Sequence, residues 1–279
     1  MVRAPAKINL FLEITGKRAD GYHNLETLFL KIAFYDQLYF YKRKEGIEID
    51  CHARCVPNDR FNIVYQAADL LRREFKLKQG VKIRIVKRIP VGAGLGGGSS
   101  DAAAALKGLN NLWNLELSRK TLFNLARRLG ADVPLFFSEA SLALGRGIGD
   151  ELSSIDLGRK FWIVLFFPDV FVSTKQVYES VPVCLTNKKN NVKLLIYALK
   201  MYNLELIEKY SFNRLEDVTF RLHNCLLKIK QKISARSPRA VLMSGSGAAF
   251  FLIAKDRKEA MQIRNRLQDN YQVMVVRSL

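Results

Sequence analysis

Five glycines stand within seven positions of this chain, at residues 92, 94, 96, 97 and 98. Ser99, Ser100 and Asp101 follow them at the start of an alanine-rich stretch that predicts a helix. Glycine lacks a β-carbon, so the backbone can turn sharply and bring its N–H groups close to a ligand. The first turn of a helix adds unpaired N–H donors and the positive end of the helix dipole. These residues therefore predict a site that binds a phosphate group.

Two better-known glycine signatures do not fit this stretch. The dinucleotide fingerprint needs a βαβ unit with an acidic residue about twenty positions further on, and residues 115–117 predict a poor strand for it. The GxxxxGK[ST] loop needs a lysine directly after its last glycine, whereas Ser99 follows Gly98. A flexible linker is the plainer alternative, but the alternating strand before the loop and the leucine-striped helix after it argue against a linker.

Lys7 and Asp132 are further residues whose type and place suggest chemistry. Lys7 lies in an apolar strand and shares a face with Asn9, although a lysine in such a strand ordinarily points its ammonium to water. Asp132 stands between Gly130, which ends a predicted helix, and Pro134. From the sequence alone, a helix cap is the favoured interpretation of this aspartate.

Two other features are a lysine just before the glycine loop and a second short stretch that contains glycines. Lys87 shares the parity of the apolar residues in the strand before the glycine loop, so a cation interrupts the apolar face of that strand. The tetrapeptide Ser244–Gly247 lies between two predicted strands, where a simple hairpin turn would also explain it.

Composition sets outer limits on the function. The chain has 279 residues, 49% of them hydrophobic, which is enough for a large core and for two domains. Its net charge of +19 is spread over short basic pairs and triplets. That charge suits a nucleic acid or a polyanionic small substrate equally well.

The expected location follows from the cysteines and from the apolar segments. Cys51, Cys55, Cys184 and Cys225 show neither paired metal-ligand spacing nor a disulfide framework, so we expect reduced thiols in a cytoplasm. No window approaches the roughly 18 apolar residues of a membrane span. The first sixteen residues also lack the pattern of a secretory signal.

Hydrophobic periodicity predicts the elements that hold these residues. In the first half it predicts strands at 6–14, at 25–41 in two runs split by Asp36, at 47–51 and from Val81, and helices at 62–75, after the glycine loop and from Ser118 to Gly130. In the second half it predicts strands at 161–167, 240–244, 249–254 and 271–277, and helices at 175–181, 191–210, 217–232 and 256–268. This mixed order favours an α+β class of two-layer sandwiches over a doubly wound sheet. Clustered glycines predict a domain boundary near residues 145–160.

The stretch PVGAGLGGGSSDAA resembles the phosphate-binding motif of the GHMP kinases. The segments APAKINLFLEITGKRADGYHNLETLF, LGADVPLFF and LMSGSGAAFF are similar, in the same order, to the other blocks of one member of that family. Together the blocks span nearly the whole chain. Val91 and Ala93 stand where Met and Gly are common, and Asp101 stands where Asn is frequent. The role of Asp101 stays open, because a second anion near phosphates would repel them unless Mg²⁺ intervenes.

The resemblance implies a two-domain fold and a phosphotransfer reaction. The expected domains are a ribosomal-protein-like α/β sandwich over residues 1–155, which binds ATP, and a ferredoxin-like α+β domain over residues 156–279, which binds the second substrate. The reaction implied is the transfer of the γ-phosphoryl group of ATP, with Mg²⁺, to the 2-hydroxyl of a cytidine-diphosphate-linked methylerythritol in non-mevalonate isoprenoid synthesis.

The resemblance also implies roles for individual residues. Asp132 matches the catalytic base, and Lys7 matches the cation that keeps this carboxylate ionised and stabilises the moving phosphoryl group. The residues implied to bind ATP are Lys87, Pro90, Gly92, Gly94, Leu95, Gly96, Gly97, Gly98, Ser99 and Ser100. Those implied to bind the second substrate are Asn9, Tyr22, His23, Asp132, Tyr178 and Gly245. No side chain is assigned to a metal.

Two alternatives stay open at this point. A homoserine or mevalonate type of GHMP kinase would use the same glycine loop, but it has no need of the GYH segment at 21–23. A basic RNA-binding module would suit the charge of +19, and a steep salt dependence of RNA binding would support it. We further expect a monomer or weak homodimer with no obligate nucleic-acid partner and no membrane partner.

Overall fold

The computed structural model describes residues 1–182 and 191–279. The chain folds as two compact units that interleave along the sequence. Unit 1 comprises Met1–Ala6, Phe34–Val91 and Gly96–Glu139, and unit 2 comprises Lys7–Ala33, Gly92–Leu95 and Ala140–Leu279. Strands β1 (Val2–Lys17) and β2 (His23–Arg43) each contribute to both units. The predicted boundary between residues 155 and 156 assumed contiguous domains, and it stays a prediction.

Unit 1 packs helices on a sheet. Its strands are β3 (Ile47–Asp50) and β4 (Gly80–Val86), and its helices are α1 (Ile63–Glu74), α2 (Gly97–Leu112) and α3 (Arg119–Leu129), followed by a 3₁₀ turn at Pro134–Phe137. Strand β4 pairs antiparallel with the second half of β2 and parallel with β3. Helix α2 lies against the sheet so closely that a β-carbon added at Gly108 would overlap the Phe40 ring. The strand and the helix that flank the glycine loop are thus both fixed by burial.

Unit 2 contains a second antiparallel sheet, in the order β11-β7-β10-β9. The strands of unit 2 as a whole are β5 (Leu142–Arg146), β6 (Glu151–Ile155), β7 (Trp162–Phe167), β8 (Phe212–Asn213), β9 (Leu242–Met243), β10 (Phe250–Ala254) and β11 (Gln272–Arg277). Its helices are α4 (Thr174–Glu179), α5 (Val192–Met201), α6 (Leu204–Tyr210), α7 (Leu215–Leu222), α8 (Asn224–Ser234) and α9 (Arg257–Leu267). The short strand β8 pairs parallel with β1, and β5 pairs with the first half of β2. Helices and mainly antiparallel strands confirm the predicted α+β class.

Three predictions about elements were wrong. Asp36 does not split the second strand, because β2 runs unbroken through it and the carboxylate is fully buried and paired. The glycines near residue 150, where the domain boundary is predicted, form the turn of an antiparallel hairpin of β5 and β6, in which Gly147 and Gly149 take positive φ. The predicted helix at 191–210 is two helices, because Tyr202 takes a left-handed φ of +54° that ends α5. The predicted helix at 217–232 is also two helices, because His223, with a non-helical backbone, separates α7 from α8.

Two further findings bear on the composition. Among the residues that the structure describes, no helix is long and apolar enough to cross a membrane. The thiols of Cys51, Cys55 and Cys225 are free, as predicted. Cys184 lies outside the described residues.

Candidate active site

The glycine loop alternates between left-handed and ordinary backbone. Gly92, Gly94 and Gly96 have φ of +68°, +72° and +67°, while Ala93 and Leu95 between them are not in the positive region. Only glycine adopts the left-handed conformation readily. Alternation of this kind turns successive N–H groups toward one concavity, which is the backbone nest that binds anions. The loop geometry therefore fits a phosphate ligand.

The first half of the loop, residues 92–95, belongs to unit 2 and is held there by its carbonyl groups. The carbonyls of residues 93, 94 and 95 accept hydrogen bonds from the Ala249 N–H at 3.2 Å, the Ser244 hydroxyl at 2.9 Å and the Lys7 N–H at 3.0 Å, in that order. A β-carbon added at Gly94 would overlap the carbonyl oxygen of Ser244. The contact is between two backbones, so no larger residue than glycine fits.

The second half of the loop starts helix α2 in unit 1. Gly96 is the residue before the helix, no side chain caps it, and Ser100 donates a backbone hydrogen bond of 2.9 Å to the Gly96 carbonyl. The N–H groups of the first turn precede that bond, so they are available to an anion. Ser100 is buried, and its hydroxyl has no hydrogen-bond partner among the described residues. An uncapped helix start with an unpartnered buried hydroxyl is a fitting place for phosphate oxygens.

Lys87 lies beneath this helix start, between two buried carboxylates. Its ammonium donates to Asp36 at 2.5 Å and to Asp101 at 2.8 Å. The other oxygen of Asp36 accepts the N–H groups of Arg88 and Ile89, and the other oxygen of Asp101 has no hydrogen-bond partner within the described part of the chain. The Lys87 ammonium is thus paired with two aspartates. The predicted contact of Lys87 with ATP stays a prediction.

Burial and the neighbouring charges shift the ionisation of this cluster. Burial raises the pKa of Asp101 to about 7, against the opposing pull of Lys87 and with a further rise from the Asp36 charge. Burial alone would lower the pKa of Lys87, but the two carboxylates outweigh it and raise that pKa above its usual value. One ammonium therefore does not fully stabilise two carboxylates in this position.

Lys7 with Asn9, the glycine loop at Gly94 and the turn at Gly245 lie close together in unit 2. Lys7 is buried, with an exposed fraction of 4%, and its ammonium donates to the Asn9 side chain at 2.7 Å. The ammonium also lies 5.4 Å from the centre of the Phe29 ring. A β-carbon at Gly245 would lie 3.3 Å from both the Asn9 side-chain oxygen and the Gly94 carbonyl. Lys7 therefore does not point to water, and it shares one small region with Asn9, Gly94 and Gly245.

Asp132 lies in unit 1, half-buried in the turn that follows α3. The 3₁₀ turn after it begins from Val133, and Val133 forms no side-chain cap. Val133, and not Asp132, therefore occupies the cap position of this turn. The pairing of Asp132 with Lys7 stays a prediction.

The aromatic residues predicted to bind cytidine also lie in unit 2. His23 is buried, and its ring centre is 5.9 Å from that of Tyr178 with an interplanar angle of 34°. Burial, with a smaller contribution from Lys17, lowers the pKa of His23, so the imidazole is neutral at neutral pH and offers one donor and one acceptor. Tyr22 is 60% exposed. The structure thus brings His23 and Tyr178 together and leaves the Tyr22 ring open to a ligand.

Sequence reasoning missed several residues that hold these groups. Asp36 was seen only as an interruption, and Asn213 and Glu216, which bind the turn at residues 243–245, gave no signal at all. Their partners lie far away in the chain, 30 residues from Asn213 to Met243.

Comparisons with known proteins cover the whole chain. The family model of the GHMP kinases N terminal domain matches residues 62–139, and that of the GHMP kinases C terminal matches residues 195–273. The chain is 39% identical to 4-diphosphocytidyl-2-C-methyl-D-erythritol kinase of Brevibacillus brevis, over 100% of this chain and 96% of that protein. It is 38% identical to the kinase of the same name from Clostridium kluyveri, over 100% of both chains.

Solved structures give the same result for the fold. A crystal structure of 4-(cytidine 5'-diphospho)-2C-methyl-D-erythritol kinase superposes with a TM-score of 0.84 at 37% identity, covering 99% of this chain and 98% of that one. A homoserine kinase from Cytophaga hutchinsonii superposes with a TM-score of 0.78 at 20% identity, covering 100% of this chain and 93% of that one. At 20% identity the second likeness concerns the fold alone. The predicted two-domain GHMP kinase fold is confirmed.

Proposed function

This chain belongs to the GHMP kinases and, among them, to the 4-diphosphocytidyl-2-C-methyl-D-erythritol kinase family, and we propose that it phosphorylates the 2-hydroxyl of that cytidine diphosphate compound with ATP. Membership of a kinase family implies the use of ATP. The observation that carries the proposal is the meeting of Lys7, Asn9, Gly94 and Gly245 in unit 2. These four residues come from three separate sequence blocks, and one buried ammonium stands among them.

The glycine loop and the start of α2 are proposed to hold the triphosphate. The alternating left-handed glycines and the uncapped helix start support this role, since both present N–H groups that anions accept. The residues that would contribute backbone N–H groups are Gly92, Gly94, Leu95, Gly96, Gly97, Gly98 and Ser99. Ser100 would contribute its hydroxyl, and Lys87 and Pro90 would complete the ATP-binding set.

Mg²⁺ is proposed to enter on the nucleotide. Within the described ranges, no group of three or more His, Cys, Asp or Glu side chains is placed to hold a metal ion. Mg²⁺ in kinases takes most of its ligands from phosphates and water, so a cradle for phosphates also fits the ion that they carry. When bound, Mg²⁺ neutralises charge on the β- and γ-phosphates.

Lys7 and Asp132 are proposed to carry the chemistry. Phosphoryl transfer demands mainly positioning and charge neutralisation, with a base to take the proton of the acceptor hydroxyl. Asp132 would accept that proton, and the oxygen would attack the γ-phosphorus as the bond to ADP breaks. The Lys7 ammonium is buried, so it acts in a region of low dielectric where its charge stabilises the developing anion strongly.

His23, Tyr178, Tyr22 and Asn9 are proposed to bind the cytidine end. A neutral, buried imidazole can both donate to and accept from the edge of cytosine. The Tyr178 ring beside it and the exposed Tyr22 ring offer faces on which a base stacks. These residues would select the nucleotide and leave the distant hydroxyl to Lys7 and Asp132.

A coupled assay of ADP release tests the proposal. We expect ADP formation with the cytidine diphosphate substrate and background rates with homoserine or mevalonate, and a new phosphomonoester signal in the ³¹P NMR spectrum of the product. Turnover of homoserine or mevalonate in place of the cytidine compound would refute it. The cytoplasmic location, the monomer or weak homodimer and the lack of an obligate nucleic-acid partner stay predictions.

A further inference from the structure

Both polar atoms of the Asn213 side chain form hydrogen bonds with backbone groups. Asn213 is 5% exposed and lies on β8. Its amide nitrogen donates to the carbonyls of Met243 at 2.9 Å and Gly245 at 2.7 Å. Its amide oxygen accepts the N–H of Leu215 at 3.0 Å. The residue therefore ties the start of α7 to the turn at residues 243–247.

Glu216 holds the same turn from the first turn of α7. One carboxylate oxygen accepts the N–H of Met243 at 2.7 Å, and the other accepts from the Lys230 ammonium at 2.6 Å. Met243 is thus bound at its carbonyl by Asn213 and at its N–H by Glu216. A residue held at both groups cannot rotate its peptide planes without breaking a buried bond.

The turn in its own right holds the glycine loop. The Ser244 hydroxyl donates to the Gly94 carbonyl at 2.9 Å and accepts the N–H of Asn9 at 3.3 Å. Since a β-carbon on Gly94 would already overlap Ser244, the two backbones are in direct contact. The carbonyl of Gly94 and the N–H of Leu95 belong to one planar peptide, so fixing the first also fixes the direction of the second.

We propose that Asn213 and Glu216 are positioning residues for the phosphate loop. They act through the turn at residues 243–247 and through Ser244, and they contact neither substrate. The proposal rests on the proposed function, because it takes the loop to be the site of the ATP phosphates. Phosphoryl transfer depends on alignment, and a misplacement of about 1 Å can cost about 10²-fold in rate.

Four single variants test the proposal with their matched control. Asn213→Ala and Glu216→Ala each remove hydrogen bonds that fix the turn, and Ser244→Ala removes the bond from the turn to the Gly94 carbonyl together with the bond from the Asn9 N–H. Glu216→Gln keeps the acceptor for the Met243 N–H. The control is Lys230→Met, which removes the ion pair of Glu216 without touching the turn.

The readouts are kcat with the cytidine diphosphate substrate, the Kd of MgATP from titration calorimetry, and the thermal midpoint. We expect the three alanine variants to lose roughly 10- to 100-fold in kcat and to bind MgATP more weakly. Glu216→Gln and Lys230→Met should keep both values within about threefold of wild type, even where the thermal midpoint falls. A merely structural role would instead lower the thermal midpoint of all variants and leave kcat of the folded protein unchanged.

Folded Asn213→Ala or Glu216→Ala protein with wild-type kcat and wild-type MgATP affinity overturns the proposal. Should either variant fail to fold, the other decides, and Ser244→Ala, which loses the hydroxyl bonds to Gly94 and from Asn9, tests the same link where the turn meets the loop. If the wild type does not turn over the cytidine compound, the proposed function has failed. The MgATP affinities then still show whether Asn213 and Glu216 position the loop.

Discussion

Replacing Asp101 by asparagine should make the stability of the protein less dependent on pH. Asp101 shares the Lys87 ammonium with Asp36, and its other oxygen has no hydrogen-bond partner among the described residues. Asparagine has the same shape and keeps an oxygen that accepts from Lys87, but it carries no charge. The substitution therefore removes one buried ionisation and keeps the acceptor for Lys87.

The sign and size of the effect follow from the pKa of Asp101. Burial raises that pKa from 3.8 to about 7, so between these values the folded protein holds a proton that the unfolded chain has released. Stability then falls as pH rises through this interval and levels off above it. At about 1.4 kcal/mol for each pKa unit, the wild type should lose about 3 kcal/mol between pH 5 and pH 8 that Asp101→Asn retains.

Urea denaturation of both proteins at pH 5, 6, 7 and 8 measures this difference. The amide that replaces the Asp101 carboxylate places an N–H group at the oxygen position that has no hydrogen-bond partner among the described residues. An unpaired buried donor costs about 1–3 kcal/mol at every pH, so only the change with pH is diagnostic. Asp69→Asn, at a partly exposed ion pair on α1, is the control and should follow the wild type. If the free-energy difference between Asp101→Asn and wild type is the same at all four pH values, the reasoning about this cluster is wrong.

Three shorter predictions concern the proposed site. Asp132→Asn should keep the fold and MgATP binding while kcat falls roughly 10²–10⁴-fold, and wild-type turnover by the folded variant would remove Asp132 as the base. Gly96→Val places a β-branched residue at φ +67°, so MgATP affinity should collapse in titration calorimetry without global unfolding; unchanged affinity would put the nucleotide elsewhere. His23→Ala should raise KM for the cytidine substrate by the equivalent of about 1–3 kcal/mol and leave ATP parameters alone. An unchanged preference for cytidine over uridine in that variant would mean that His23 does not contact the base.

Local patterns predicted the elements around the glycine loop well. The alternating strand became β4, Ser118 caps α3 as predicted, and Gly96 introduces α2. Each of these depends on residues that are close in sequence, such as a cap and the N–H three positions later. The phosphate loop could be predicted from the sequence for the same reason, since its conformation demands glycine at particular positions.

Contacts between distant residues were not predictable from those patterns. Asp36 looked like a break in a strand because its partner Lys87 lies 51 residues further on. In the same way, the glycines near residue 150 did not indicate the hairpin of β5 and β6 that they join, or the pairing of β5 with β2 more than a hundred residues earlier. A charge or a glycine in the sequence carries no mark of what the fold will place opposite it.

The glycine loop itself shows why its sequence is so restricted. Its three consecutive carbonyls, at residues 93–95, accept hydrogen bonds from Ala249, Ser244 and Lys7, which come from two segments distant in the chain. In a planar trans peptide the N–H points away from the carbonyl. Each carbonyl that accepts one of these hydrogen bonds therefore directs the N–H of the next residue away from the donors. The left-handed φ of Gly92, Gly94 and Gly96 allows these three carbonyls to accept their hydrogen bonds in succession. Gly94 therefore serves two demands at once, because it makes a close backbone contact with Ser244 and belongs to the series of left-handed glycines that directs N–H groups toward an anion.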